Sequence, residues 1–319
     1  MAIGTRLCRP SNIWYDESLT LWICVFEGMV HMRLLVTGAN GQLGHAIGAA
    51  LEAKDAPAAY VDCVVDWVDL PDLDISSASA VDAWFVAHEP YDVVVNCAAF
   101  TNVDGCEADF AAAFSANALG PMNLARACAT GDATLVHVST DYVFPGTEPG
   151  ERLETDVPAP ISAYGRSKLA GEGLALAANH RTHVVRTAWL YGEGKNFVRT
   201  MLRIGEGRDE VTVVDDQLGN PTSAADLAHE ILRIALTDDY GVWHCTNEGI
   251  CSWADLAEAA YEIAGVNCRV RRCSSADWKR MNPQSADRPA FSALKNGHLE
   301  STIGNQMRPW REALEDYLR

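Results

Sequence analysis

Residues Arg33–Gly44, RLLVTGANGQLG, decide the fold of this chain. Arg33–Thr37 is a short apolar run typical of a buried β-strand, and a helical pattern follows over Gln42–Ala53. Between them, glycines spaced G-x-x-G-x-x-G let the backbone turn tightly and approach a pyrophosphate closely, while the helix N-terminus offers free N–H groups. The sequence therefore predicts a phosphate-binding loop, which comprises Gly38, Asn40, Gly41, Gln42, Leu43 and Gly44.

Apolar runs and helical patterns continue to alternate beyond this loop. The further predicted strands are Val61–Asp66, Tyr91–Asn96, Thr134–Ser139 and His183–Ala188. The further predicted helices are Ser77–His88, Glu107–Thr130 and Ser162–Asn179. Regular β–α alternation indicates an α/β fold with a Rossmann-type, doubly wound parallel sheet, in which ligands bind at the carboxyl ends of the strands.

The C-terminal third has a different pattern, because the alternation becomes irregular after Gly192. Predicted helices at Ala224–Leu236, Ser252–Ala264 and Pro309–Leu318 lie among short apolar pieces. We therefore predict a dinucleotide-binding domain over 32–190 and a smaller substrate-binding lobe over 191–319, in which a segment at about 224–247 returns to the sheet.

Acidic residues follow the second predicted strand, in the region where the adenosine of a dinucleotide binds. Asp66 ends that strand roughly twenty residues beyond the glycines, a position from which a carboxylate can bind ribose hydroxyls. Asp74 and Ile75 are predicted to place a carboxylate and an apolar surface beside the adenine. We interpret Asp69 and Asp72 as solvated loop residues.

A phenol and an amine lie one helical turn apart in the predicted helix Ser162–Asn179. Tyr164 and Lys168 are at i and i+4, on the same helix face. Free tyrosine has a pKa of about 10, and a nearby ammonium lowers that pKa toward the range that general acid–base catalysis needs. A hydroxyl from Ser139 or Thr140, at the end of the fourth predicted strand, can hold a substrate oxygen against the phenol.

These segments, in this order, resemble those of the extended short-chain dehydrogenase/reductases and, within them, the dTDP-4-dehydrorhamnose reductases. The resemblance runs from Met32 nearly to the end of the chain and includes the glycine loop, STDYVF at Ser139–Phe144 and YGRSK at Tyr164–Lys168. Further matching segments are Asn96–Thr101, Arg186–Gly192, Asn196-Phe197, Asp216–Thr222 and Arg288–Leu294.

The resemblance implies a reduction in dTDP-rhamnose biosynthesis, which supplies cell-wall polysaccharide. NADPH or NADH would deliver hydride to C4 of a dTDP-linked 4-keto-6-deoxy sugar, while Tyr164 protonates the oxyanion. Lys168 would lower the pKa of the phenol and bind the nicotinamide ribose, and Thr140 would hold the carbonyl oxygen. The implied cofactor contacts also include Ala98, Ala99 and Thr101. The implied substrate contacts are Thr140, Asp141, Tyr142, Trp189, Asn196, Gln217 and Arg288.

Other interpretations stay open at this point. Trp189 could belong to the core, Arg288 to a surface ion pair and Gln217 to a turn, and Asn117 could be a satisfied core residue or a support for the active-site backbone. The same scaffold also carries nucleotide-sugar epimerases and dehydratases, although Tyr142 stands where dehydratases have Glu. A third alternative is a non-catalytic NAD(P)-binding regulatory subunit, which the intact catalytic residues argue against.

Composition narrows the partners and the compartment. The net charge of −18 over 319 residues argues against nucleic acid and anionic membranes as partners. Between Lys54 and Arg126 there is no Lys or Arg for a 2′-phosphate, which favours NADH while leaving NADPH open. The ten cysteines show neither C-x-x-C pairs nor zinc-type spacing, so we predict a reducing cytoplasm and no metal site. The sequence leaves open whether the chain forms a homodimer.

Residues Met1–His31 do not fit the pattern. Their apolar run Leu19–Phe26 is too short to span a bilayer, and the segment before it is acidic, unlike the start of a signal peptide. Because Met32 reads as the start of the first strand, we interpret Met1–His31 as a poorly ordered extension upstream of the natural start.

Overall fold

The first predicted strand is confirmed in a computed structural model that describes residues 31–319. The strands are β1 (Arg33–Thr37), β2 (Val64–Val68), β3 (Val93–Asn96), β4 (Thr134–Thr140), β5 (Thr182–Thr187), β6 (Leu190–Tyr191), β7 (Glu210–Val214), β8 (Leu218–Gly219), β9 (Thr222–Ser223), β10 (Gly241–His244), β11 (Cys251–Ser252) and β12 (Arg269–Cys273). The prediction for Met1–His31 concerns residues that, apart from His31, lie outside the described ones.

The α-helices follow the strands in regular order over the first half of the chain. They are α1 (Gln42–Glu52), α2 (Ala78–Ala87), α3 (Val103–Ala108), α4 (Phe110–Phe114), α5 (Gly120–Gly131), α6 (Ala163–Ala178), α7 (Phe197–Gly205), α8 (Ala224–Ile234), α9 (Trp253–Ala264), α10 (Ser275–Met281), α11 (Gly297–Ser301) and α12 (Trp310–Leu318).

Six strands within residues 31–319 form one parallel sheet in the order β10–β5–β4–β3–β1–β2. The predicted α/β fold with a Rossmann-type parallel sheet is therefore confirmed. The chain passes from β1 outward to β2 and then returns to β3 on the other side of β1. In open α/β sheets, ligands bind where the strand order reverses in this way.

The carboxyl ends of the central strands come close together at one edge of the sheet. Thr37 of β1 is in register with Asn96 of β3, Asn96 with His137 of β4, and Thr140 of β4 with Thr187 of β5. The loops that leave these strands therefore meet at this edge, which we call the rim.

Helices cover both faces of the sheet. Leu34 and Val36 of β1 face α1 and α8, in a core that includes Ile47, whereas Leu35 faces α5 and α6 in a core that includes Leu124. Alternate residues of β1 are thus buried on opposite faces, as expected of a parallel strand covered by helices on both sides.

The C-terminal part contributes both to the sheet and to a separate group of elements. β10 extends the sheet beside β5, and α8 packs on α1. β7 pairs with β12, and α9 packs against α7 and α12 around a core that includes Val198 and Leu256. The division into a domain over 32–190 and a lobe over 191–319 stays a prediction.

Two predicted elements differ from the observed ones. β2 begins three residues later than predicted, because Asp62 has a φ of 59°, in the left-handed region that ends a loop. The predicted helix Glu107–Thr130 is interrupted: Asp109 caps a new helix by accepting a bond from the N–H of Ala112 at 3.0 Å, and Ser115–Leu119 form a π-helical turn.

Candidate active site

The glycine loop after β1 packs directly against the loop after β3. Gly38 has a φ of 69°, and a Cβ there would lie 2.6 Å from the backbone nitrogen of Ala98. A Cβ on Gly44 would lie 2.4 Å from the carbonyl oxygen of Ala39. Only glycine fits at these two positions. The loop therefore packs closely against neighbouring backbone, and the start of α1 faces the rim.

The structure places Asp66 inside β2 and not at the end of the strand, and its predicted ribose contact stays a prediction. Because β2 runs to Val68, Asp66 lies inside the strand, where its Oδ2 accepts bonds from Tyr91 Oη at 2.7 Å and Arg33 Nη2 at 3.1 Å. Asp69 stands at the carboxyl end instead, and its Oδ2 accepts a bond from the N–H of Asn40 in the glycine loop at 3.0 Å. Asp69, which the sequence predicts to be a solvated loop residue, is therefore the rim carboxylate that binds the glycine loop.

One cleft of about 1040 Å³ runs along the rim. Asp74 lies in its wall with its carboxylate fixed by the N–H and hydroxyl of Ser76, at 2.9 and 2.7 Å, and Ile75 packs beside Gly120. Among the predicted cofactor and catalytic residues, the cleft is lined by Gly38, Asn40, Gly41, Gln42, Leu43, Asp74, Ile75, Ala98, Ala99, Thr101, Thr140, Tyr164 and Lys168.

The catalytic residues are positioned by α6 and by the end of β4. Ser162 caps the helix by accepting a bond from the N–H of Gly165 at 3.1 Å. A Cβ on Gly165 would lie 2.1 Å from the carbonyl oxygen of Tyr142, so this glycine lets the helix approach the segment after β4. Tyr164 and Lys168 thereby face Thr140 across the cleft.

Hydrogen bonds fix two of these side chains. Lys168 Nζ donates to the carbonyl oxygen of Val138 at 2.7 Å and lies 3.4 Å from Nε2 of His137. Thr140 Oγ1 donates to Asp141 Oδ1 at 2.8 Å and accepts a bond from the N–H of Tyr142 at 3.2 Å. The amine and the hydroxyl therefore occupy defined places at the bottom of the cleft.

Burial dominates the protonation of the site. Desolvation raises the pKa of Tyr164 above its ordinary value, against a hydrogen bond with Thr140 that lowers the pKa. Desolvation also lowers the pKa of Lys168 to about 8 and raises the pKa of Asp141 to about 7. Burial therefore outweighs the predicted lowering of the Tyr164 pKa by Lys168 in this structure, and the role of Lys168 toward the phenol stays a prediction.

Asn117 supports the active-site backbone, the second of the two interpretations that the sequence leaves open. It lies in the π-helical turn, where its Oδ1 accepts a bond from the N–H of Phe100 at 2.7 Å. Its Nδ2 donates to the carbonyl oxygen of Phe100 and to Ser167 Oγ, both at 3.0 Å. Asn117 therefore ties the loop after β3 to the helix that carries Tyr164 and Lys168.

A second cavity, of about 800 Å³, lies beside this cleft and is lined by Gln217 and Arg288. Arg288 Nη2 lies 3.3 Å from Asp104 Oδ1, and Nη1 donates to the carbonyl oxygen of Ala286 at 3.3 Å. Gln217 Nε2 donates to Ser275 Oγ at 2.9 Å. Both side chains reach the cavity wall from the C-terminal part of the chain.

Trp189 separates the two cavities. Its φ of 47° is unusual for a large side chain, and its ring stacks on Trp253 with a centroid distance of 3.6 Å. Trp189 lines the first cleft and Trp253 the second cavity. A Cβ on Gly219 would lie 2.7 Å from the Trp189 ring, so the ring packs tightly against the backbone of Gly219.

Asn196, a predicted substrate contact, forms a helix cap in this structure. Asn196 caps α7: its Oδ1 accepts a bond from the N–H of Arg199 at 2.9 Å, and its Nδ2 donates to the carbonyl oxygen of Gly192 at 2.7 Å and to Tyr317 Oη at 3.0 Å. Its amide holds the backbone after β6, and the substrate contact stays a prediction.

Sequence reasoning gives no site role to three residues that lie at the site. Asp69 is interpreted as a solvated loop residue because the sequence predicts that β2 ends at Asp66. Lys195 lines the cleft from a glycine-containing loop in which the sequence shows no motif. His137 touches Lys168 from inside a strand, where an isolated histidine gives no signal.

Residues 31–319 contain neither a cluster of metal-binding side chains nor a helix that could span a membrane. No group of three or more His, Cys, Asp or Glu side chains within them is arranged to hold a metal ion. No helix in that part of the chain is long and apolar enough to cross a membrane.

Comparisons with known proteins cover nearly all of the described chain. A family model described as the RmlD substrate binding domain matches residues 32–319. A dTDP-4-dehydrorhamnose reductase from Mycobacterium tuberculosis is 44% identical over 88% of this chain and 91% of that protein. A solved dTDP-4-dehydrorhamnose reductase from Clostridium acetobutylicum is 44% identical, with a TM-score of 0.85, and the match covers 90% of this chain and 98% of that chain. One from Bacillus anthracis, solved in complex with NADP, is 36% identical with a TM-score of 0.83 over the same shares of both chains.

Proposed function

Because the chain belongs to the dTDP-4-dehydrorhamnose reductase family, we propose that it reduces dTDP-4-dehydro-L-rhamnose to dTDP-L-rhamnose with NADPH or NADH. The observation that carries the proposal is the single cleft that joins the glycine loop to Thr140, Tyr164 and Lys168. A dinucleotide on the loop and a ketone held by the hydroxyls share one cavity, as hydride transfer requires.

The residues of the cleft fit a nicotinamide dinucleotide. Gly38 and Gly44 let the loop pack against the backbone of Ala98 and Ala39, and the free N–H groups at the start of α1, which no side chain caps, are available to a pyrophosphate. Asp69 accepts ribose hydroxyls, and Ile75 offers an apolar surface beside the adenine. When bound, NAD(P)H supplies the hydride for C4 of the sugar.

Tyr164 supplies the proton. Since burial raises its pKa, the phenol keeps its proton at neutral pH and can donate it to the C4 oxygen, whose negative charge develops as the C=O π bond breaks. Thr140 orients that oxygen. Lys168, with a pKa of about 8, is mostly cationic at neutral pH and stabilises the phenolate that Tyr164 becomes. The phenolate then regains a proton that comes ultimately from water.

The second cavity is the proposed place for the nucleotide part of the substrate. Arg288 can hold pyrophosphate oxygens with two parallel N–H groups, which matters in a chain whose net charge is −18. Gln217 and Trp253 supply an amide and an aromatic ring for the base and sugar. Trp189 and Tyr142 would contact the reduced sugar between the two cavities.

The same proposal includes the cellular compartment and the oligomeric state of the protein. Eight free cysteines within residues 31–319 are consistent with a reducing cytoplasm, where dTDP-rhamnose biosynthesis would take place. Sedimentation velocity on the purified chain distinguishes a monomer from the homodimer that the sequence leaves open.

A reductase assay tests the proposal directly. Incubation with dTDP-4-dehydro-L-rhamnose should consume NADPH or NADH in proportion to the ketosugar, whereas an epimerase or dehydratase shows no net consumption. Tyr164→Phe should lower kcat by about a hundredfold to ten-thousandfold with cofactor affinity unchanged, since only the proton donor is lost. Tyr240→Phe, which alters a half-buried tyrosine bonded to Asp238 just before β10, is the matched control. An unchanged rate in Tyr164→Phe would overturn the catalytic assignment.

A further inference from the structure

A fully buried histidine lies directly behind the catalytic lysine. His137 sits in the middle of β4 and is 0% exposed. Its Nε2 faces Lys168 Nζ at 3.4 Å, and its Nδ1 faces Asn96 Nδ2 at 3.0 Å. The mechanism derived above gives this side chain no task, although it is one of the nearest neighbours of the Lys168 amine.

Hydrogen bonds determine which ring nitrogen carries the proton. Asn96 Oδ1 accepts bonds from the backbone N–H of Ala98 at 3.1 Å and from Thr37 Oγ1 at 2.7 Å. Because a backbone N–H is always a donor, this contact fixes the orientation of the amide, and Asn96 Nδ2 must donate toward His137. Nδ1 of His137 is then the acceptor, and a neutral ring carries its proton on Nε2.

The ring is neutral in this setting. Burial and the neighbouring Lys168 both lower the pKa of His137 well below its ordinary value. The Nε2–H therefore points at the amine of Lys168. An N–H pointing at an ammonium sets two donors against each other, whereas it would donate favourably to a neutral amine.

The charge of each other group around the Lys168 amine determines whether it favours the protonated lysine. Glu172, one turn further along α6, favours the ammonium, but its carboxylate is shared with Arg186 at 2.7 Å. Cys97, on the loop after β3, has a pKa raised to about 12 by burial and is a neutral thiol. Tyr164 is a neutral phenol on the same helix. His137 is thus the neighbour whose dipole opposes the positive charge.

We propose that His137, held by Asn96 with its Nε2–H toward Lys168, is a positioning residue that weakens the hold of the lysine on its proton. The inference rests on the proposed reductase function, because the consequence appears in catalysis. A lysine that releases its proton easily can return one to the Tyr164 phenolate after each turnover and regain it from water. The ring therefore sets the pH at which the reductase loses activity on the alkaline side.

The test compares three variants by the pH dependence of kcat/KM for dTDP-4-dehydro-L-rhamnose. His137→Leu removes both ring nitrogens and should move the alkaline limb upward by about one pH unit, because the opposing dipole is gone. His137→Gln keeps an acceptor oxygen and a donor N–H on one amide and should restore the wild-type position. His183→Leu, which alters a buried histidine of β5 that accepts a bond from Trp243, is the matched control and should leave the limb unchanged.

A merely structural role would lower the rate at every pH without moving the limb. An unmoved limb in a folded His137→Leu enzyme overturns the proposal. A second measurement needs no activity: ¹⁵N NMR of the histidine rings, with His137→Gln used for assignment, should show a neutral His137 protonated on Nε2. A proton on Nδ1, or a cationic ring at neutral pH, overturns the proposal even if the variants fail to fold. Failure of the proposed reductase function would appear separately, as a wild-type enzyme that consumes no NADPH or NADH.

Discussion

Replacement of Asp69 tests the assignment of the ribose contact. The carboxylate is held by two backbone N–H groups, those of Asn40 at 3.0 Å and Leu70 at 2.8 Å, one on each oxygen. Each oxygen keeps a further lone pair, and the residue lines the cleft beside the glycine loop. We expect Asp69→Ala to weaken cofactor binding while leaving the catalytic groups in place.

The magnitude follows from the kind of bond that is lost. A hydrogen bond to a charged group contributes about 1.5–3 kcal/mol, and about 1.4 kcal/mol corresponds to a tenfold change in Kd. Asp69→Ala should therefore raise the Kd for NADH by about 10- to 100-fold. The Kd for NADPH should rise less, because the carboxylate also repels a 2′-phosphate. Asp69→Asn, which keeps an acceptor and loses the charge, should shift the preference toward NADPH.

Fluorescence titration of both cofactors against the wild type and each variant measures these changes. Asp66→Asn is the control: its carboxylate binds Arg33 and Tyr91 inside the sheet, so its loss should lower Tm and leave both Kd values unchanged. The reasoning is refuted if Asp69→Ala binds NADH as the wild type does, or if Asp66→Asn weakens cofactor binding more than Asp69→Ala.

The remaining predictions concern the loop, the substrate cavity and one buried acid. Gly38→Ala should raise the Kd for NADPH at least tenfold by calorimetry, since its Cβ would collide with Ala98 at a positive φ, and a folded variant with wild-type affinity contradicts this. Arg288→Gln should raise KM for the sugar nucleotide about tenfold or more at unchanged cofactor Kd. Asn196→Ala should instead lower the free energy of unfolding by about 1 kcal/mol and leave KM unchanged. The opposite pattern would support the predicted substrate contact of Asn196. Burial raises the pKa of Asp141 to about 7, so the folded state binds more protons than the unfolded state between about pH 4 and 7, and stability falls as pH rises through that window. The Tm advantage of Asp141→Asn over the wild type should therefore grow from pH 4 to pH 8, and a constant difference would show that Asp141 is ionised throughout.

Local chemistry accounts for what the sequence predicted well. β1 and the glycine loop depend on neighbouring residues, and a strand followed by G-x-x-G-x-x-G has few alternatives. Asp66 shows where this reasoning fails. The end of β2 depends on its register with β1, which pairs Thr37 with Val68, and on the left-handed Asp62 before the strand. Neither feature can be read from the spacing of acidic residues. Because the predicted end of β2 lies two residues too early, the ribose contact is assigned to Asp66, which is bonded inside the sheet, and not to Asp69 at the rim.

Residue type alone also left two roles undecided. Asn196 has the same side chain as a ligand contact and as a helix cap, and only the three partners of its amide identify the cap. For Tyr164 and Lys168, helix periodicity predicted that both face one side, and they do. It could not predict that the amine would bond to Val138 of β4 and meet the N–H of His137. Proximity along a helix fixes where two groups lie, but burial and the partners supplied by other strands decide how strongly each of them holds its proton.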